Sequence, residues 1–136
     1  MTVRGSCLCG AVAFEMSGEP GRVTHCHCSR CRKVRGTAHA TNFVVPLAGL
    51  TYVRGEANLT EYRLPDAKYF GHTFCRSCGS SMPRLDRERG FAIVPMGSLD
   101  DDPGVRPERH IHVDSRAPWD EIHDDLPQFP GPPPFI

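Results

Sequence analysis

Cysteine is the residue with most chemistry to offer in this chain, and its seven copies fall into three groups. Cys26, Cys28 and Cys31 lie at a C-x-C-x-x-C spacing. Side chains two apart in an extended chain point to the same side, so a turn after Cys28 brings Cys31 back beside the other two thiols. A Cys-x-Cys pair lies upstream (Cys7, Cys9) and a Cys-x-x-Cys pair downstream (Cys75, Cys78). Thiols in such clusters, in an odd total, read as ligands of zinc in a reducing compartment. A disulfide framework would leave one thiol over, and a Cys-x-Cys pair is poorly placed to close on itself.

Zinc takes four ligands in a structural site, whereas three protein ligands leave a position for water or substrate. Seven thiols divide as four plus three. Cys7-Cys9 and Cys75-Cys78 each end in glycine, Gly10 and Gly79, which permits the positive φ of a tight turn beneath a metal. Those four form the expected closed site, and Cys26, Cys28 and Cys31 the expected open one. Two zinc ions per chain follow. The competing partition is a zinc ribbon of Cys28-Cys31 with Cys75-Cys78. Its spacer of 43 residues compares with roughly 15–20 in the common pattern, and it strands Cys7, Cys9 and Cys26.

Arg30, Arg32, Lys33 and Arg35 crowd the three-cysteine stretch. They offset thiolate charge, and Arg30, Arg32 and Lys33 are also candidate anchors for the carboxylate of a thiol substrate. His27 and Ser29 are the candidate acid/base groups beside the open position. On an extended segment His25 and His27 point opposite to Cys26 and Cys28, which makes them supporting or surface residues. His39, His72, His110 and His112 read as strand residues with ordinary packing roles, and His123 as solvated.

The elements that must position these groups are short strands, so the class is mainly β. Val12, Phe14 and Met16 alternate with smaller or polar residues, as in a strand with one buried face. Residues 22–26 form a short strand that delivers Cys26. Residues 29–34 form one helical turn capped by Ser29. Residues 37–45 form another strand. Residues 52–54 and 59–64 read as a strand pair around the Gly55–Asn58 turn, and residues 69–74 as a strand leading into Cys75. The run from Gly90 to Gly97 is a buried strand that Pro95 ends at an edge or bulge. Residues 110–113 are the last strand. The domain is expected over residues 1–119, followed by a tail, 120–136, that is acidic and then proline-rich. Its prolines favour an extended path, either wrapping the domain or staying mobile; an SH3-type ligand is the alternative.

The chain is formally neutral, with 16 basic and 16 acidic residues. That excludes the electrostatic footprint of a nucleic-acid or anionic-membrane binder. No apolar run approaches the roughly 20 residues of a membrane span, and the opening residues 1–6 lack the apolar stretch of a signal peptide. The expected location is cytoplasmic.

Several segments stand in a recognisable order: Gly5-Ser6-Cys7-Leu8-Cys9-Gly10, Cys26-His27-Cys28-Ser29-Arg30-Cys31, Phe74-Cys75-Arg76-Ser77-Cys78-Gly79, Gly97-Ser98-Leu99-Asp100 and Ala117-Pro118-Trp119. The chain resembles the glutathione-dependent formaldehyde-activating enzyme and centromere protein V family. The resemblance implies a β-tent-like fold of small antiparallel sheets stapled by two zinc ions. It assigns the structural zinc to Cys7, Cys9, Cys75 and Cys78 and the catalytic zinc to Cys26, Cys28 and Cys31. It implies a carbon–sulfur lyase run in reverse, condensing formaldehyde with glutathione to S-hydroxymethylglutathione, and so a small-molecule thiol as partner. The alternatives are a non-enzymatic zinc module that binds another protein and a zinc-dependent thioester hydrolase. An open position facing a concave pocket favours the enzyme, and a filled one the module.

Overall fold

Three small sheets surround a shared apolar core in the computed structural model, which describes residues 2–134. Met1, which opens the expected domain, and Phe135 and Ile136, which close the expected tail, lie outside the described residues. The first sheet has the order β1 (Val3–Ser6), β2 (Ala13–Met16), β5 (Leu50–Arg54). In β2, Phe14 and Met16 are buried while Glu15 is exposed, as alternation dictates. The third sheet pairs β6 (Leu59–Arg63), β7 (Gly71–Cys75) and β8 (Ser81–Met82) in that order.

The largest sheet contains β3 (Val23–Cys26), β4 (Ala40–Pro46), β9 (Arg84–Asp86), β10 (Phe91–Pro95) and β11 (Arg109–Ile111). Its order is β11-β3-β4-β10-β9. All its neighbours run antiparallel except β11 and β3, which are parallel, with Ile111 opposite Cys26. Val12, Phe14, Phe43, Met82 and Val94 close the core between the sheets. Each such side chain, fully buried, contributes about 1.5–3 kcal/mol of hydrophobic stabilisation. The class is mainly β, as the alternation indicates. No helix of the described residues is long and apolar enough to cross a membrane.

Several local expectations are corrected. Residues 50–64 do not form a hairpin: β5 pairs with β2, and β6 with β7. Gly55 adopts φ +73, and a Cβ there would lie 1.9 Å from the Ala11 carbonyl oxygen. This close backbone approach, followed by a 3-10 turn at Glu56–Asn58, sends the chain into another sheet. The helix α1 spans Ser29–Arg35, and its cap is Cys28, whose Sγ accepts from the Cys31 amide, rather than Ser29. Gly36 ends it at φ +66. The strand expected over 37–45 begins only at Ala40. β10 is an interior strand, and Pro95, its last residue, lies opposite Asn42, where a missing donor costs the ladder little.

The proline-rich segment runs beside β11. The His110 amide donates to the Pro127 carbonyl at 2.9 Å, and the Phe129 amide donates to the His110 carbonyl at 2.9 Å. The His112 amide donates to the Gly131 carbonyl, also at 2.9 Å. The segment thus covers the free side of an edge strand and leaves these backbone groups engaged within its own chain.

Candidate metal centres and the cavity beside them

Cys7 follows β1 and Cys75 ends β7, so two sheets deliver the two halves of one cluster. In each half a glycine closes the turn. Gly10 (φ +81) donates its amide to the Cys7 carbonyl at 3.1 Å, and Gly79 (φ +76) to the Cys75 carbonyl at 2.8 Å. The Sγ atoms of Cys7, Cys9, Cys75 and Cys78 all lie within 4.8 Å of one another. Cys7 to Cys9 is 3.7 Å and Cys9 to Cys75 is 3.9 Å. A tetrahedron with zinc–sulfur bonds of about 2.3 Å has edges of about 3.8 Å, whereas a disulfide brings its sulfurs to about 2.05 Å. All seven cysteines are free.

Donors surround these sulfurs as thiolates require. The Val12 amide points at Cys7 Sγ (3.2 Å), and Asn58 Nδ2 at Cys75 Sγ (3.4 Å). The Ser80 hydroxyl lies 3.2 Å from Cys78 Sγ and holds that thiol down to about 5. The set fits a closed four-thiolate metal site.

The second cluster is local. Cys26 ends β3, Cys28 caps α1, and Cys31 sits in its first turn. Their sulfurs also lie within 4.8 Å of one another. Hydrogen bonds from Cys26 and Cys31 draw the Cys28 thiol down, while the contact with Cys28, then burial, pushes Cys26 up to about 12, and contacts with Cys26 and Cys28 raise Cys31. Three sulfurs this close could hold one cation among them, and the donor set suits a soft divalent metal. The seven thiols gather as four and three, and Cys28 and Cys31 do not meet Cys75 and Cys78 as a ribbon requires.

His27 lies between two of these cysteines and is fully buried, so of the two expected places it takes the supporting one and not the surface. Its Nε2 lies 2.8 Å from His110 Nδ1, and His110 Nε2 lies 3.0 Å from both carboxylate oxygens of Asp124. The rings of His39 and His110 pack against it, and the His25 ring packs against both of those. Burial, then His39 and His110, lowers His27 to about 4 and His25 to about 4, so both are neutral at pH 7. His110 links the knuckle to the tail, a role the sequence reading missed. The available signal was the pair of alternating histidine motifs, His25-Cys26-His27 and His110-Ile111-His112, which β3 and β11 set side by side.

Beside Cys31 opens a cavity of about 360 Å³, within the size range of small-molecule sites. Arg30, Arg35, Lys68, Arg84 and Arg89 line it, and no carboxylate among the described residues does. Val34, Phe70, Met82 and Ile93 supply apolar wall. Of the expected anchors, Arg30 is there, whereas Arg32 and Lys33 are not; Arg35 is. Burial lowers the Arg35 pKa, and its nearness to the sulfurs of Cys31 and Cys26 opposes that shift. A second cavity of about 670 Å³ reaches Cys7, Arg35 and His39 but none of the three clustered thiols.

The sequence profile described as glutathione-dependent formaldehyde-activating enzyme matches residues 2–115. That span includes both cysteine clusters and every residue lining the cavity. The chain belongs to this family. A Halomonas elongata protein, provisionally named as a glutathione-dependent formaldehyde-activating enzyme, is 32% identical over 134 residues, covering 90% of this chain and 82% of that one. A crystal structure of a Rhodobacter sphaeroides protein is similar with a TM-score of 0.59 and 32% identity, over 76% of this chain and 91% of that one. The family description names glutathione and formaldehyde, and in this member the three-thiol cluster adjoins a concave cationic cavity.

Proposed function

We propose that the protein is a zinc-dependent carbon–sulfur lyase-type enzyme of the cytoplasm, acting on a thiol–aldehyde adduct such as S-hydroxymethylglutathione. The observation that carries this reading is the three-thiol cluster opening beside a cavity lined by five cations. Cys7, Cys9, Cys75 and Cys78 would hold a structural zinc, and Cys26, Cys28 and Cys31 a second. A zinc ion held by three thiolates supplies a soft position that favours a thiol substrate as its thiolate.

The chain's own residues supply binding and orientation. Arg30 and Lys68 attract an anionic thiol, and the walls at Val34, Met82 and Ile93 exclude water from its methylene groups. In the synthetic direction a sulfur lone pair forms the C–S bond to the aldehyde carbon. The carbonyl π pair moves to oxygen, which takes the proton that the thiol gave up. The reverse step breaks the same bond. Bringing sulfur and aldehyde together supplies much of such a rate gain. His27 has its Nε2 committed to His110, so it holds the knuckle rather than exchanging protons with substrate. His72 is the imidazole that shares the cavity with Cys31. Burial, then the Arg35 charge, lowers its pKa, so it is neutral at pH 7.

The test is exchange spectroscopy with carbon-13 formaldehyde and glutathione at equilibrium. Zinc-loaded protein should speed exchange between free aldehyde and adduct above the buffer rate, and Cys31→Ser should abolish the gain. Loaded wild-type protein that leaves the exchange rate at the buffer value overturns the proposal.

A further inference from the structure

Five buried side-chain nitrogens among the described residues lack a hydrogen-bond partner, and three of them belong to the cavity beside Cys31: Arg35 Nε, His72 Nδ1 and Arg84 Nε. A buried polar group without a partner is costly, and such groups rarely cluster by accident. Arg84 is only 5% exposed. Its Nη1 donates a long hydrogen bond of 3.5 Å to Asp86, and its Nε is ion-paired with the half-exposed Glu61 at 3.7 Å, too far for a hydrogen bond. Asp86 is already committed to Arg89, whose Nε donates at 2.6 Å and whose amide donates at 3.0 Å. One buried carboxylate thus serves two guanidinium groups. Arg35 is in a similar position: its Nη2 donates to Asn42 Oδ1 at 2.9 Å, and its Nε is left over.

We infer that this cavity is a carboxylate pocket, that Arg84 and Arg35 are its specificity-determining residues, and that it selects acidic thiols over neutral ones. The inference rests on the proposed function only for where the sulfur goes. A carboxylate presents two acceptor oxygens in the plane that a guanidinium fork matches. The apolar wall between Arg84 and Cys31, with Val34, Met82 and Ile93, accommodates the methylene chain joining a carboxylate to a thiol. At the mouth, Arg30 lies over the Phe70 ring at 6.0 Å and Lys68 over the Tyr69 ring at 5.3 Å. Both hold positive charge at the entrance, with their stems against aromatic surface.

Two measurements on the full-length protein separate the pocket from the sulfur site. In the first, calorimetry compares S-methylglutathione, which keeps both carboxylates but offers no thiolate, with its diester. The acid should bind at least about tenfold more tightly than the diester, a factor that corresponds to one good ionic contact. Arg84→Gln should remove that preference while leaving diester affinity unchanged. Should Arg84→Gln fail to fold, Lys68→Gln on the exposed loop should still weaken the acid selectively. Equal affinity of acid and diester for wild-type protein overturns the inference and means that water alone satisfies these donors. In the second, cobalt-substituted protein is titrated with glutathione, and the visible spectrum reads sulfur entry. An acid-selective calorimetric response with an unchanged spectrum leaves the carboxylate pocket standing and overturns the proposed function instead.

Discussion

His27 and His110, 83 residues apart, meet nitrogen to nitrogen at 2.8 Å in the interior. The His27 amide also donates to the Ile111 carbonyl at 3.0 Å. Asp124 lies on the far side of the His110 ring, 3.0 Å from its Nε2, so a continuous relay of side chains runs from His27 through His110 to Asp124. The three-thiol knuckle, the last strand and the tail are therefore one mechanical unit.

This unit makes the knuckle sensitive to a residue that touches no sulfur. His110→Ala leaves the buried His27 Nε2 without its hydrogen-bond partner and should cost about 1–3 kcal/mol. In a urea titration with a chromophoric chelator, the variant should release one metal ion early and the other at the wild-type midpoint. Simultaneous release of both would mean that His110 supports the whole fold and not this knuckle.

Metal content follows from the grouping of sulfurs. Fully loaded, reduced protein should contain two zinc ions per chain by elemental analysis. A value of one would return the seven thiols to a single ribbon-like site.

Loss of a thiol should have unequal effects at the two centres. Structural zinc supplies on the order of 10–16 kcal/mol in small peptides, comparable with a domain's entire stability, and Cys75 joins the first and third sheets. Cys75→Ser should give protein with little native circular dichroism. Cys31→Ser should keep the native spectrum and lose one metal. Equal unfolding of the two variants would contradict separate roles.

Gly55 and Gly10 offer a matched pair for the backbone. Both have positive φ, but a Cβ at Gly10 meets nothing within 4 Å, whereas at Gly55 it meets the Ala11 carbonyl oxygen at 1.9 Å. Gly10→Ala should cost about 1–2 kcal/mol for the left-handed conformation alone. Gly55→Ala should cost more, because the first sheet must move as well. Denaturant midpoints measure the difference, and a reversed order would mean that the turn after β5 yields freely.

Acid should loosen the tie between β1 and the segment after β10. Arg4 donates to Asp101 through its side chain and its amide, which lowers the Asp101 pKa to about 2. An unfolded aspartate titrates near 3.9. A depressed folded pKa gives stability that is present above about pH 4 and lost as the pH falls towards 2. Solvent exposure of Arg4 keeps the effect small. Asp101→Asn should flatten the pH dependence of the melting temperature in that window, and an unaltered profile would remove the tie from the stability balance.

Much of this was legible in the order of residues because metal-type cysteine spacing is a local code, and so is the alternation of Phe14 and Met16. The glycines after Cys9 and Cys78 showed their positive φ in advance for the same reason. What could not be read was pairing between distant strands. Residues 50–64 carry turn signals suited to a hairpin, and only the close approach of Gly55 to Ala11, 44 positions away, redirects the chain. Likewise β11 meets β3 in parallel across most of the sequence, which turns two ordinary-looking histidines into partners. Arg84 and Arg89 lie 53 and 58 positions from Cys31 in sequence, so their place in the cavity depends on the third and largest sheets coming together. Arg32 and Lys33 looked better placed, yet the pitch of α1 puts Arg30 and Arg35 along the cavity instead.

The strip at residues 127–131 against β11 also bears on the order in which the molecule is assembled during translation, when domains form as the chain emerges from its N-terminus. The local trio is complete in the chain once Cys31 is made, while Cys7 and Cys9 wait for Cys75 and Cys78. The supports of the trio, His110 and Asp124, emerge only near the end of synthesis. The knuckle synthesised early thus gains its full support late, and a ribosome stalled shortly before residue 110 would carry a nascent chain with all seven thiols present and the histidine clasp still open.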